Sequence, residues 1–340
     1  MNTNKIIVKN VSYLLFSLLT LILLMSLISL ATGHLALTPS DIIKTVLGEG
    51  SKRNELLLFE FRLPRLAIAI LAGAALAVAG TLFQGVTQNE LADPGMMGIN
   101  AGAGFFIVLY LTFRAQGTRS DGLWQMMTLP IAAFLGGLAA AVCIYAVAWK
   151  KGITPIRMIL VGIGVNAGFG ALLTILQLRM DQRAFNQVTI WLSGSIWNAS
   201  WTAVGSLLFW TLILLPFSLY KAKTLNFLQL GDEMATGLGF HVEKERIKLV
   251  AIGVALAGAS VSVAGGIAFL GLGAPHIARK IVGNKHQRLI PTAACMGSLI
   301  LLLADMMARN IFSPTEVPVG LIVAVLGAPY FIYLLITTEA

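Results

Sequence analysis

Val11-Ser-Tyr-Leu-Leu-Phe-Ser-Leu-Leu-Thr-Leu-Ile-Leu-Leu-Met-Ser-Leu-Ile-Ser-Leu30 runs for 20 residues without a charged side chain, and it is only the first of a series. A helix needs about 20 mostly apolar residues to cross the hydrocarbon core of a bilayer. Comparable runs occupy Pro64 to Phe83, Gly98 to Phe113, Leu129 to Trp149, Ile156 to Leu178 and Trp201 to Tyr220. Four more lie at Ile247 to Ala264, Ile267 to Val282, Thr292 to Met307 and Val319 to Ile336. The pattern predicts an all-α polytopic membrane protein of about ten transmembrane helices. The Ile267 run is short and carries Pro275, so it is expected to be broken or only partly inserted, which would make the count nine.

The composition allows little else. With 57% hydrophobic residues, 11% charged residues and a mean hydropathy of +0.84, the 340-residue chain lacks the polar surface to close a soluble globule. A single transmembrane domain over residues 1–340 is expected, with its longest polar connection at about 221–245. The first apolar run follows Lys5 and Lys9, is too long for a signal-peptide core, and is followed by Thr32-Gly33-His34 rather than a small-residue cleavage site, so it reads as a retained helix.

Charge gives the orientation. An N-terminus in the cytoplasm puts Lys150, Lys151, Lys221, Lys223, Lys244, Arg246, Lys248, Arg279, Lys280, Lys285 and Arg288 on the same side, satisfying the positive-inside rule. The ten-span count then returns the C-terminus to that side too. The formal charge of +9 is thereby a topology and anionic-lipid signal. The basic loops lack interleaved aromatics for stacking bases, which argues against a nucleic-acid partner. Cys143 and Cys295 sit in separate predicted helices and are expected only to pack.

Leu71-Ala-Gly-Ala-Ala-Leu-Ala-Val-Ala-Gly80 aligns with Leu256-Ala-Gly-Ala-Ser-Val-Ser-Val-Ala-Gly265 at both ends. An offset of five helices sets the two copies in opposite directions, the arrangement of inverted repeats in transporters, although Ala/Gly-rich helices also resemble one another by chance. Gly73 with Ala77, and Gly258 with Ser262, are small pairs that let helices approach closely.

Candidates for covalent chemistry are sparse. Walker A, HExxH and GxSxG patterns are absent, and Gly162-Ile-Gly164-Val-Asn-Ala-Gly168 lacks the strand and the spacing of a dinucleotide site. No catalytic residue, metal site or cofactor is expected. Asp305 and Arg309 lie four apart within the ninth span, where local neutralisation and a functional role for Arg309 compete.

Two other places ask for a partner. Arg62 and Arg65 flank Pro64 where the second helix is expected to begin, at the positive end of its macrodipole, a poor place for cations. They call for an anion or for lipid headgroups, and reversal to glutamate there is expected to leave the fold intact. The segment Lys221 to Glu245 carries Leu225, Phe227, Leu228, Leu230, Met234 and Leu238 among Asp232, Glu233 and three glycines. It reads as a docking surface or an interfacial helix, with an acidic first turn after Gly231 and an end at Gly237 and Gly239.

These residues resemble the FecCD-type, BtuC-like permeases of bacterial ABC importers for ferric siderophores, haem and cobalamin. The resemblance covers almost the whole chain. It rests on Arg62-Leu-Pro-Arg65, Gly80-x-x-x-Gln84, Asn89-Glu-Leu-Ala-Asp-Pro94 followed by Gly98, and Trp191-Leu-Ser-Gly-Ser195. It rests also on Gly231-Asp-Glu-x-Ala-x-x-Leu-Gly239, Ala274-Pro-His-Ile-Ala-Arg279, Ala304-Asp-x-x-Ala-Arg309, Glu316-Val-Pro-Val-Gly320 and Gly327-Ala-Pro329. The chain departs from the family pattern at Glu90, where a proline is usual.

The resemblance implies a permease in a bacterial cytoplasmic membrane, without a nucleotide site of its own. Its implied partners are a second permease subunit, two cytosolic ATPases and an extracytoplasmic substrate-binding protein. Arg62, Arg65 and Arg309 would accept acidic residues of the binding protein. Leu230, Gly231, Asp232, Glu233, Ala235, Leu238 and Gly239 would form the coupling helix on the ATPase. Asn89 and Leu91 would line the inner gate, with Gln84 and Asn166 along the pathway, while His276 and Arg279 read as a structural elbow and an inner-surface anchor. Ferric siderophores are the implied cargo, with cobalamin or haem as the alternative. A self-contained secondary transporter fits the repeats but not the sparse intramembrane charge, and a membrane-embedded enzyme lacks a reactive constellation.

Overall fold

The computed structural model of the chain describes residues 10–33, 35, 37–95, 97–114, 123–148, 155–311, 313 and 315–337. Lys5, Lys9, His34, Trp149, Lys150 and Lys151 lie outside them. No strand occurs among the described residues.

Helix α1 (Val11–Ala31) leads from one face of the molecule, the near face, to the opposite, far face. There α2 (Pro39–Val46) is started by a capping box. The Thr38 hydroxyl accepts from the Asp41 N–H at 3.2 Å, and the Asp41 carboxylate accepts from the Thr38 N–H at 3.1 Å. After α3 (Lys52–Glu55) the chain stays helical through a wide π-helical stretch, Leu56–Arg62, into α4 (Leu63–Thr87), which returns to the near face.

The remaining spans alternate. Helices α5 (Ile99–Arg114), α6 (Leu123–Ala148) and α7 (Pro155–Gln177) are followed on the far face by α8 (Gln182–Leu192), capped by Asp181. Helix α9 (Trp201–Tyr220) descends to two short near-face helices, α10 (Ala222–Leu228) and α11 (Asp232–Gly237). The bundle is completed by α12 (Val242–Ala264), α13 (Leu270–Val282), α14 (His286–Asn310) and α15 (Val319–Thr337). Among the described residues seven helices are long and apolar enough to cross a membrane, and α5, α13 and α15 are shorter segments of the same bundle. The protein is polytopic and all-α, as the apolar runs predict.

The expected start of the second helix at Pro64 is corrected by the structure, because residues 52–87 form one helical rod. Proline has no N–H to donate, and its ring collides with the carbonyl four residues earlier in a regular helix. The π-helical stretch resolves this by widening the turn, with the Leu63 N–H reaching back to the Leu58 carbonyl. Arg62 and Arg65 therefore do not stand at a free helix end, and the macrodipole argument does not apply to them.

The two helices that share the Leu-Ala-Gly-Ala and Val-Ala-Gly segments, α4 and α12, run in opposite directions at the centre. In each, 78% of the apolar window is buried. Gly73 of α4 meets the backbone of Gly297 in α14, and Gly80 meets that of Gly271 in α13; a β-carbon at either glycine would overlap the facing carbonyl. Gly258 of α12 faces the backbone of Ala133 and Phe134 in α6. Buried side chains from Ile68 to Val86 of α4 interlock with Leu249, Val254 and Leu256 of α12 in one apolar core.

The expected break in the eighth span is real, but Pro275 is not its cause. Pro275 stays inside α13, and the chain is instead non-helical at residues 265–269, with Phe269 left-handed at φ 65°. A 13-residue helix reaches about 20 Å at 1.5 Å per residue, short of a full crossing. Gly265 and Gly266 of the non-helical stretch lie against the end of α8 and the turn after it, where Gly194 and Gly320 also meet and the Gly320 N–H donates to the Gly194 carbonyl at 2.9 Å. Irregular backbone at membrane depth is tolerated where protein covers it. Cys295 packs near Leu18, Ile22 and Leu299, whereas Cys143 is exposed on α6 rather than packed.

Helix α7 is the opposite of α4. Only 6% of its apolar window is buried, and nothing lies within 4 Å of a β-carbon placed on Gly164, Gly168 or Gly170. These two environments generate a contrast. Gly73→Ala should destabilise the solubilised chain by about 1–3 kcal/mol through overpacking, despite alanine's better helix propensity. Gly164→Ala, meeting open space, should leave stability within about 0.5 kcal/mol or raise it slightly. Thermal unfolding of both variants in detergent checks this, and equal behaviour would contradict the packing.

Candidate functional site

Two groups of side chains stand out, one on each face. On the far face, α4 and α14 bring Arg65 and Arg309 to Asp305, with Arg62 of the π-helical stretch beside them. Arg65 Nε donates to Asp305 Oδ1 at 2.8 Å and its Nη1 to Glu316 Oε2 at 2.7 Å. Arg309 Nε lies 3.1 Å from Asp305 Oδ2, and its Nη2 donates to the Ser29 hydroxyl at 2.6 Å. Arg62 donates to the carbonyls of Leu30 and Leu35, fixing the connection between α1 and α2.

Burial decides what these contacts mean. Side-chain exposure is 1% for Asp305, 8% for Arg309 and 11% for Arg65. Desolvated charges of this kind need their partners, and removing one member of a buried pair costs on the order of 3–5 kcal/mol. The anion that Arg65 calls for is thus internal, and local neutralisation explains Asp305 and Arg309. Reversal of Arg65 to glutamate would set a third carboxylate against Asp305 and Glu316, so the expectation that the fold tolerates it is also corrected. Three guanidiniums face two carboxylates, and the surplus positive charge rests with Arg62, which is half-buried and has only carbonyl acceptors among the described residues.

Beneath α8, between α5, α6, α9 and α12, a cavity of about 810 Å³ opens in the far half of the molecule. Its walls mix Trp191 and Trp197 with Gln187, Asn198 and Ser206.

On the near face, α10 buries Ala222, Leu225 and Leu228, whereas α11 buries only Ala235. Leu230, Met234 and Leu238 are left 53%, 65% and 58% exposed. The short helix is held in place from below: Asp232 pairs with Arg246 of α12 at 2.9 Å, and Phe227 stacks on Phe240 with centroids 4.4 Å apart. Gly231 at φ 96° and Gly239 at φ 85° make the left-handed turns on either side, as the glycine spacing predicts. Glu233 is exposed on the same helix.

The loop after α4 touches this element. Gln88, itself left-handed at φ 52°, donates its Nε2 to the Leu228 carbonyl of α10 at 2.7 Å. Asn89 Oδ1 accepts from the Leu91 N–H at 2.8 Å, closing a local turn. Glu90 reaches Arg279 of α13 at 3.0 Å, and Asp93 lies over Gly271 of the same helix. Arg279 also donates to Gln84 Oε1 at 2.8 Å.

Gln84 is 2% exposed between α4 and α13, so it is a packing and hydrogen-bonding residue rather than part of an open surface. Asn166 is half-buried on α7, where its backbone borders Gly98. His276 of α13 meets the Tyr330 hydroxyl, and both it and Arg279 are largely buried. Gln88, Glu316 and Ser29 join these clusters without any periodic signal announcing them; their contacts arise only when distant helices meet.

The FecCD transport family model matches residues 21–337. The chain is 53% identical over 335 residues to the iron(3+)-hydroxamate import system permease protein FhuG of Bacillus subtilis, covering 98% of each chain. It is 39% identical to the iron-uptake system permease protein FeuC of the same organism, over 95% of this chain and 96% of that one. Among solved structures, an inward-facing ABC transporter described as of metal-chelate type superposes with a TM-score of 0.83 at 27% identity, covering 96% of this chain and 99% of the other. With the all-α bundle, the motifs and these matches in agreement, the chain belongs to the FecCD transport family, a permease component of ABC transporters and not itself a catalytic subunit.

Proposed function

We propose that the chain is one membrane-spanning half of a bacterial importer for ferric siderophores of the hydroxamate class, acting as a single permease domain with both termini in the cytoplasm. The observation that carries the coupling mechanism is the hydrogen bond from Gln88 to Leu228, which joins the candidate gate loop to the element bearing α11. Orientation is supported by the cations of the near face, where Lys221, Lys223, Lys244, Lys248, Lys280, Lys285 and Arg288 lie at helix ends and loops.

In this reading two cytosolic ATPases seat the exposed Leu230, Met234 and Leu238. Nucleotide-driven closure moves α11, and α10 passes that motion to Gln88, Asn89 and Leu91. A second permease copy or a related subunit covers the open glycine face of α7, and the passage forms between the two. Rocking of the two halves then exposes alternate sides. On the far face an extracytoplasmic binding protein meets the surplus charge at Arg62. The chain contributes shape, gating and docking, and bond-breaking chemistry belongs to its ATPase partners. Cargo of the hydroxamate class is supported by the relative at 53% identity, whose name carries that cargo.

Cells lacking this permease but retaining its partner subunits should fail to accumulate radioactive iron supplied as ferric hydroxamate. Uptake should return with the chain, while uptake of ferric citrate or haemin should not depend on it. Restoration of haemin or citrate uptake instead would redirect the cargo assignment.

Leu238→Asp should abolish transport and transport-linked ATP hydrolysis without lowering abundance, because Leu238 is exposed in the isolated chain and a charge there is unpaired only in the assembled contact. Gly239→Val should act similarly by straining a left-handed position. Normal transport by the Leu238 variant would remove α11 from the coupling role.

Arg62→Gln keeps donors for the Leu30 and Leu35 carbonyls while discarding the charge. It should weaken binding-protein docking by about 2–5-fold, equivalent to roughly 0.5–1 kcal/mol for one exposed pair, and should flatten the salt dependence. Unchanged affinity and salt response would exclude this cluster as the docking site.

A further inference from the structure

The geometry points to Glu90 as a releasable latch of the inner gate, an ion pair standing where the family pattern has a rigid proline. This inference rests on the reading of Asn89 and Leu91 as lining the inner gate and adds the residue that holds their loop. Glu90 Oε1 lies 3.0 Å from Arg279 Nη1, and its Oε2 lies 4.0 Å from His276 Nε2. Side-chain exposure is 50% for Glu90 against 7% for Arg279 and 9% for His276, so a half-solvated carboxylate reaches into a socket that is itself buried.

The socket is fixed from behind. Arg279 Nη2 donates to Gln84 Oε1 at 2.8 Å, tying α13 to α4. His276 Nδ1 meets the Tyr330 hydroxyl at 2.5 Å, tying α13 to α15. The other end of the latch sits on a loop that is also bonded to the near-face helices. Two residues before Glu90, the Gln88 side chain is bonded to Leu228 on α10, next to the exposed α11. A displacement of α10 and α11 relative to α13 therefore pulls directly on the Glu90–Arg279 contact.

A proline at this position would stiffen the loop in every conformational state, since its ring constrains φ permanently. An ion pair stiffens it only while the partners touch. Glu90 is the one carboxylate within ion-pair distance of Arg279 among the described residues, so release leaves a mostly buried guanidinium with Gln84 as its acceptor, and re-engagement is favoured as the motion reverses. In this chain the state of the loop is thereby made conditional on the position of the coupling element.

The test uses the complete transporter in inside-out vesicles. Cys143 and Cys295 are replaced by serine, Leu91→Cys serves as the reporter, and a membrane-impermeant maleimide is the probe. With Glu90 intact, the labelling rate should differ by at least about 5-fold between nucleotide-free and vanadate-trapped states, the low end of ordinary coupling free energies. Glu90→Gln should bring that ratio below about 2-fold, and Glu90→Arg with Arg279→Glu should restore it, Gln84 turning its amide to donate to the new carboxylate. Glu90→Asp, one methylene shorter with the charge kept, should fall between and covers the case in which the glutamine variant is poorly produced.

An unresponsive Leu91 reporter with Glu90 intact would overturn the gate reading itself, and the latch with it. A responsive reporter whose ratio survives Glu90→Gln would leave the gate reading standing and overturn the latch alone. Failure of the charge exchange to restore a ratio lost in Glu90→Gln would likewise overturn the pairing with Arg279.

Discussion

Backbone lies against backbone where α4 crosses α14 and α13, at Gly73 with Gly297 and at Gly80 with Gly271. Within a bilayer, lipid tails are as apolar as leucine, so helices gain from association chiefly by close van der Waals fit. Removing the side chain at these crossings brings α4 near enough to its neighbours for that fit, and the rest of the bundle is arranged around it. Helix α12 takes the remaining side of α4, and both helices lie inside the protein rather than against lipid. The loop that follows α4 can then rest on α13, because α13 has already been drawn to Gly80.

The same arrangement explains why α13 is short. A full-length helix would extend past the point where the chain must turn between α12 and the Gly194–Gly320 contact. At Gly265 and Gly266 the non-helical backbone lies against that of Trp191 and Leu192, so protein covers that part of the break.

The apolar runs, the basic near face and the glycine punctuation of α11 were legible because each is a local signal: length, charge and φ preference act within a few residues. The arginine cluster was only half legible. The Asp305–Arg309 spacing is visible as a helical i, i+4 pair, but Arg65 and Asp305 stand 240 residues apart in the chain, and no periodicity links them. The π-helical continuation through Pro64 was hidden for a different reason. Proline at a helix start and proline tolerated by a widened turn look alike in sequence, and no local signal selects between them. Gln84 was placed only through the family resemblance, and the hydrogen bond it accepts from Arg279, 195 residues away, has no local signal in the sequence.

The exposed Leu230, Met234 and Leu238 have a consequence for the life of the protein before assembly. Until something covers them, these three large apolar side chains stand open in and beside α11, the kind of surface that chaperones and proteases survey. Under the proposed coupling role, copies made in excess of their partners would be marked for removal by the same residues that equip them to couple.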